Sequence, residues 1–288
     1  MSPERTRFAT AALTAAAMLA FAANSLLCRA ALAGGHADAA SFTTLRLVSG
    51  ALALGLLVRA RARASPTPPS RVAWGPALAL FAYAILFSLA YLRIPAGTGA
   101  LLLFAAVQLT MISAGLRSGE RPRSLEWAGL AVSLAGLMLL TRPGLARRDP
   151  LGSSLMLGAG VAWGVYSLRG RGMPDAVTAN AASFACAVPF AIATSVAFGM
   201  LCTTKLTPVG AALALVSGAL TSGLGYAVWY AALRGLTATR AAIVQLSVPP
   251  LAAAFGVLVL GESVSLRLAL GSILILGGIA LAIARHRR

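Results

Sequence analysis

Arg46 stands about eight residues inside a long apolar run, a depth at which a charge is expensive and marks a functional position by default. A guanidinium there suits a carboxylate, which it can grip with two parallel N–H groups. The competing reading is snorkelling, because the nearer surface lies about 10–12 Å away at ~1.5 Å of rise per residue. Other residues are equally out of place in lipid. Asn24, Gln108 and Gln245 carry amides near the middle of their runs, and Ser247 adds a hydroxyl. Pro249 and Pro250 withhold two N–H groups, so their helix should kink and free carbonyls that can accept from an ammonium group. Tyr83 lies midway along its run, with Phe87 and Tyr91 following on one helical stripe. Trp163 and Tyr166 lie too deep for the interfacial aromatic belt and offer walls to an apolar or aromatic body. Each has a plainer reading as ordinary helix packing or an interhelical hydrogen bond. The candidate binding set is Asn24, Arg46, Tyr83, Trp163, Tyr166, Gln245, Ser247 and Pro249. Tyr226, Trp229 and Tyr230 stay open.

Catalysis and cofactor chemistry lack their materials. The acids are Glu4, Asp38, Glu120, Glu126, Asp149, Asp175 and Glu262, and none lies mid-run. His36 and His286 fall in a loop and the tail, and Cys28, Cys186 and Cys202 match no metal spacing. Gly158-Ala159-Gly160 with Gly164 lacks the strand and the downstream acid of a dinucleotide fingerprint. The chain is expected not to be an enzyme and to need no cofactor. An intramembrane lipid-acting enzyme is the rival class, and it would need paired acids or a nucleophile and base at depth. A proton relay would also place a carboxylate or histidine in the pathway, so facilitated or weakly coupled movement of a solute is expected.

The elements that must position these residues are membrane helices. The chain is 59% hydrophobic and 11% charged, and its charges fall between the apolar runs. That excludes an ordinary soluble domain. About 20 apolar residues span the hydrocarbon core, and ten such stretches occur near residues 8–33, 39–58, 72–92, 95–116, 125–141, 151–170, 177–201, 207–232, 237–260 and 265–284. The first resembles a signal peptide, but its length and Arg29 favour a retained span. The longest connection, from Arg59 to Arg71, reads as a surface loop. Trp74 and Trp127 near span ends read as belt residues.

A net charge of +17 would suit a nucleic-acid binder if its cations shared one face. They are instead scattered through short loops, so no nucleic acid is expected. Arg93, Arg142, Arg147, Arg148, Lys205 and Arg267 fall on one side, and Arg29, Arg46 and Arg240 lie within spans or at their edges. The other fifteen of the 24 basic residues fall on the opposite side, which places both termini in the cytoplasm.

Sliding the chain by 142 residues superposes it on itself without gaps. Ser25 and Arg29 fall on Ser167 and Arg171, Gly119-Glu120 on Gly261-Glu262, and Gly129 and Gly136 on Gly271 and Gly278. Each half, 1–144 and 145–288, holds five spans, an odd number, so the second enters the membrane inverted. Inverted repeats are a signature of secondary transporters, with the substrate near the midplane. The second half, with Trp163 and Gln245–Pro249, is expected to be the richer source of site residues.

The run Ala20-Phe21-Ala22-Ala23-Asn24-Ser25 is echoed by Ala162-Trp163-Gly164-Val165-Tyr166-Ser167, and the ninth span reads Gln245-Leu246-Ser247-Val248-Pro249-Pro250 before Gly261-Glu262. In this order and twice over, these features resemble the EamA branch of the drug/metabolite transporter superfamily across nearly the whole chain. Gly223-Leu224-Gly225-Tyr226-Ala227-Val228-Trp229-Tyr230 looks most like bacterial exporters of aromatic and other neutral amino acids. The chain departs from the repeat at Val107-Gln108, where the second half has Pro249-Pro250. The resemblance implies an all-α multi-pass protein of the bacterial cytoplasmic membrane, exporting amino acids by alternating access as a monomer, with a dimer as the alternative. Export of another small metabolite or drug is the alternative function.

Overall fold

The computed structural model describes residues 3–64, 74–94, 96–141, 149–171, 173–201, 203–260 and 265–284. Gly261-Glu262, Cys202, His286, Arg71, Arg142, Arg147 and Arg148 lie outside the described residues. Regular structure among the described residues is helical, apart from one isolated bridge between Ala37 and Leu206. The first half comprises α1 (Pro3–Ala33), α2 (Ala39–Ala64), α3 (Trp74–Tyr91), α4 (Ala96–Arg117) and α5 (Ser124–Thr141). The second begins with α6 (Pro150–Gly170) and α7 (Ala176–Leu201), followed by α8 (Pro208–Val216), a π-helical segment (Ser217–Leu224) and α9 (Gly225–Leu233). It closes with α10 (Ala238–Gln245), α11 (Val248–Leu260) and α12 (Leu266–Ile283).

Nine stretches of the described chain are long and apolar enough to cross a membrane, with Pro208–Leu233 and Ala238–Leu258 each counting as one. The expected fifth span is shorter, an apolar stretch from Ser124 to Leu140. Helix α2 continues to Ala64, so Arg59, Arg61 and Arg63, read from sequence as loop, extend the helix.

Local signals set the helix starts. Asp149 accepts from Gly152 N at 2.7 Å to cap α6, and Thr207, Thr237 and Ser265 do the same for α8, α10 and α12. Pro249 and Pro250 supply no N–H to the Gln245 and Leu246 carbonyls, and the ninth span breaks at Leu246-Ser247 between α10 and α11. The eighth span is irregular too, which the sequence reading missed. A Cβ on Gly218 would stand 2.1 Å from the Arg46 carbonyl oxygen and 1.9 Å from Ser49 Oγ, so α2 presses directly on this backbone. The π segment carries Ser217, Thr221 and Ser222 toward that contact.

The internal repeat is written into the packing of α5 on α12. Gly129 faces Gly278, and Gly136 faces Gly271, so the two helices run antiparallel. These pairs exchange under the 142-residue offset. Ser133 Oγ donates to the Ile275 carbonyl, its own equivalent one repeat later, at 3.1 Å. The contact needs glycine. A Cβ on Gly278 would lie 2.4 Å from Ser133 Oγ and 2.5 Å from the Gly129 oxygen, whereas one on Gly277 meets nothing within 4 Å. Gly278→Leu is therefore expected to cost about 1–3 kcal/mol by overpacking, lowering the melting temperature of detergent-purified protein by several degrees. Gly277→Leu, in the same melt, is expected to leave it unchanged.

Candidate substrate cavity

A cavity of about 400 Å³ runs from the middle of the bundle toward one end. Its deep part is an aromatic collar in which Trp163 is central. Its ring centroid lies 4.8 Å from Tyr226, 4.9 Å from Tyr83 and 5.1 Å from Phe21, edge-on to Phe21 and Tyr226. Phe87 and Tyr91 continue the Tyr83 stripe at centroid distances of 5.4 and 4.5 Å, and all three line the cavity. The collar is held by polar bonds behind it. Trp163 Nε1 donates to Gln245 Oε1 at 2.5 Å, and Gln245 Nε2 donates to the Ala241 carbonyl at 2.9 Å and toward Met111 Sδ at 3.3 Å. The Gln245 amide thus orients the indole.

Beneath the collar lies a polar cluster. Asn24 Oδ1 accepts from Ser217 Oγ at 2.7 Å and Thr221 Oγ1 at 3.1 Å. Arg46 Nε donates to Ser222 Oγ at 2.8 Å and its Nη2 to Tyr226 Oη at 2.5 Å. The π segment makes this possible, because its extra residue per turn presents Ser217, Thr221 and Ser222 to α1 and α2 together.

Of the residues singled out from sequence, Asn24, Tyr83, Trp163, Gln245 and Pro249 line the cavity. Three do not. Tyr166 is fully buried behind Trp163, donates to Asn180 Oδ1 at 2.5 Å and packs on Tyr230. Ser247 Oγ turns back to the Val244 carbonyl at 2.8 Å, satisfying the helix break. Arg46, only 1% exposed, neither snorkels to the surface nor lines the cavity, because Tyr226 and Tyr83 stand in front of it. The second half is not the richer contributor. Phe21, Asn24, Tyr83, Phe87, Tyr91 and Phe104 all come from the first half, and Trp163, Tyr226, Gln245 and Pro249 from the second. Phe21 and Phe104 escaped notice because an apolar ring in an apolar helix carries no signal of its own.

The cavity reaches the end of the bundle formed by Arg29 and Tyr91 at the close of α1 and α3, with Arg267 and Leu268 at the start of α12. Toward the opposite end Met111, Ala241 and Ala242 are buried and do not line the cavity, and beyond them a polar latch joins the two halves. Gly119, at φ +84°, ends α4 in a left-handed turn in which Glu120 N reaches the Gly115 carbonyl at 2.9 Å. That turn aims the Glu120 carboxylate at the N-terminus of α10, where it accepts from Ala238 N at 2.7 Å, Thr239 N at 3.1 Å and Thr239 Oγ1 at 3.2 Å. Arg171, at the end of α6, pairs with the same carboxylate at 3.0 Å. Nearby, Glu126 on α5 pairs with Arg240 on α10 at 2.7 Å. Burial works to raise the Glu120 carboxyl, but the Ala238 and Thr239 N–H groups and Arg171 outweigh it and hold it below the usual carboxylate range.

The EamA-like transporter family matches the chain twice, over residues 9–142 and 150–284. An uncharacterised protein of Pseudomonas aeruginosa is 53% identical, over 96% of this chain and 94% of its own. An uncharacterised transporter of Archaeoglobus fulgidus is 29% identical, over 73% and 76%. A probable terminal-alkyne amino-acid exporter of Streptantibioticus cattleyicolor is 30% identical, over 76% and 74%. A crystal structure at 21% identity shares the fold, with a TM-score of 0.74 over 93% of this chain and 98% of that one. With the doubled match, the antiparallel α5–α12 pair and a closed-ended cavity between the halves, the chain belongs to the EamA-like transporter family.

Proposed function

We propose that the protein exports amino acids, aromatic and other neutral ones, across the bacterial cytoplasmic membrane. Two inverted five-helix halves, 1–144 and 145–288, alternate access to the cavity with both termini in the cytoplasm. The observation that carries this reading is the cavity itself, one-ended and lined from both halves. Its aromatic collar suits an apolar side chain, and the Asn24 amide and the carbonyls freed by Pro249 and Pro250 suit the polar groups of an amino acid. The similarity to a probable amino-acid exporter supports the same substrate class. The working unit is a monomer in the lipid bilayer, acting without a cofactor.

No Asp or Glu lines the cavity among the described residues. Transport is therefore expected to be facilitated or weakly coupled. Counterflow of labelled phenylalanine and leucine in proteoliposomes tests the reading, with competition by a metabolite panel. Accumulation that neutral amino acids compete away, and that a pH gradient leaves within about twofold, is expected. Competition only by other metabolites or drugs would transfer the function to that class. Strong gradient dependence would overturn the uncoupled mechanism.

A further inference from the structure

Arg46 is a fully buried cation whose hydrogen-bond partners are all neutral. It donates to Ser222 and Tyr226, its Nη1 lies 3.9 Å from Cys28 Sγ, and its guanidinium carbon sits 5.6 Å from the Tyr83 ring centroid. The described carboxylates are engaged elsewhere. Asp38 accepts from Ser41 N and Lys205 N, Asp149 pairs with Arg93, Asp175 caps α7, and Glu120 and Glu126 form the latch. A buried charge without a counter-ion is costly, and the space in front of this one is the cavity.

The bonding directions carry the charge outward. Arginine only donates, so Tyr226 Oη is the acceptor of that bond; its hydroxyl also meets that of Tyr83, and a pair of hydroxyls bonded to each other leaves one proton to give. Tyr226 lines the cavity. Asn24 Oδ1 is occupied by hydroxyls of the π segment, so its Nδ2 is turned away from them and has no acceptor among the described residues. Asn24 is 2% exposed and also lines the cavity. Two donors thus face one space, with a cation directly behind.

We infer that the cavity base is an anion subsite, where Tyr226 and Asn24 grip the carboxylate of an aromatic organic acid and Arg46 acts as the positioning residue behind Tyr226. The inference rests on the proposed substrate class and narrows it: the carboxylate is required and the ammonium group is dispensable.

The test is a series sharing one ring: phenylalanine, 3-phenylpropionate, which lacks the ammonium, and phenethylamine, which lacks the carboxylate. Binding to the full-length protein in detergent is read from quenching of tryptophan fluorescence. 3-Phenylpropionate is expected to bind within about threefold of phenylalanine, and phenethylamine at least about tenfold more weakly. Tyr226→Phe, which keeps the ring, is expected to weaken both carboxylates about tenfold and spare the amine. Arg46→Lys, which keeps the charge, is expected to restore part of the preference lost in Arg46→Gln. Phenethylamine binding as tightly as phenylalanine would overturn the subsite, as would Tyr226→Phe weakening all three alike. 3-Phenylpropionate binding without phenylalanine would uphold the subsite and sink the amino-acid reading. Binding by none of the three would sink both.

Discussion

Glu120→Ala is expected to open the closed end of the cavity. The carboxylate accepts two backbone N–H groups and a hydroxyl from the start of α10 and pairs with Arg171 from α6, so it ties the α4–α5 turn to the second half. A hydrogen bond to a charged group contributes about 1.5–3 kcal/mol. Loss of one such bond shifts an open–closed equilibrium by about ten- to a hundredfold, and loss of the whole latch shifts it further. A reporter cysteine in the cavity, Ala253→Cys, is expected to react from the latch side at least about tenfold faster when Glu120 is alanine. Glu120→Gln, which keeps size but neither charge nor full acceptor capacity, should fall between. The same latch has a pH sense. The Glu120 carboxyl is held below the ordinary glutamate value of about 4.3. Its contribution is therefore complete above that value and is lost as pH falls through the depressed one. Acid is expected to speed labelling in the wild type and to change it little in Glu120→Ala.

Trp163 carries the second large effect. Trp163→Ala removes the ring that touches Phe21, Tyr83 and Tyr226, and is expected to cost about 3–5 kcal/mol of stability and to abolish counterflow. Trp163→Phe is the cleaner probe. It leaves a ring but removes the donor to Gln245 Oε1, and an unpaired buried acceptor costs about 1–3 kcal/mol. Adding Gln245→Met removes the orphaned acceptor, so melting temperature should recover. Counterflow is expected to stay about tenfold down, because neither the indole edge nor the Gln245 amide shapes the cavity any longer. Recovery of counterflow with stability would show that Trp163 serves packing alone.

Some of this was legible in the sequence for identifiable reasons. The repeat shows through because helix pairs crossing this closely accept only glycine, and Gly129, Gly136, Gly271 and Gly278 keep one offset. Trp163, Tyr83 and Asn24 announce themselves by type and depth, and the Pro249-Pro250 break follows from missing donors. The place of Arg46 behind Tyr226 does not follow, since it depends on a π turn in another helix that no residue pattern marks clearly. Gly119-Glu120 stood out as a repeated pair, but its partners Ala238, Thr239 and Arg171 are brought to it only by folding. The depth and type of Tyr166 match those of Trp163, but three residues along the helix fall about 60° short of a full turn, and that offset points Tyr166 at Asn180.

The central claim is a cavity between inverted halves that is open to one side of the membrane and latched on the other. It is tested most directly by the sidedness of the Ala253→Cys reporter, with Cys28, Cys186 and Cys202 replaced by alanine and labelled with a membrane-impermeant maleimide in vesicles of known orientation. Labelling from the external face, slowed by phenylalanine and absent from the cytoplasmic face while Glu120 is intact, is the expected result. Equal labelling from both faces, or labelling from the cytoplasmic face alone, would contradict it.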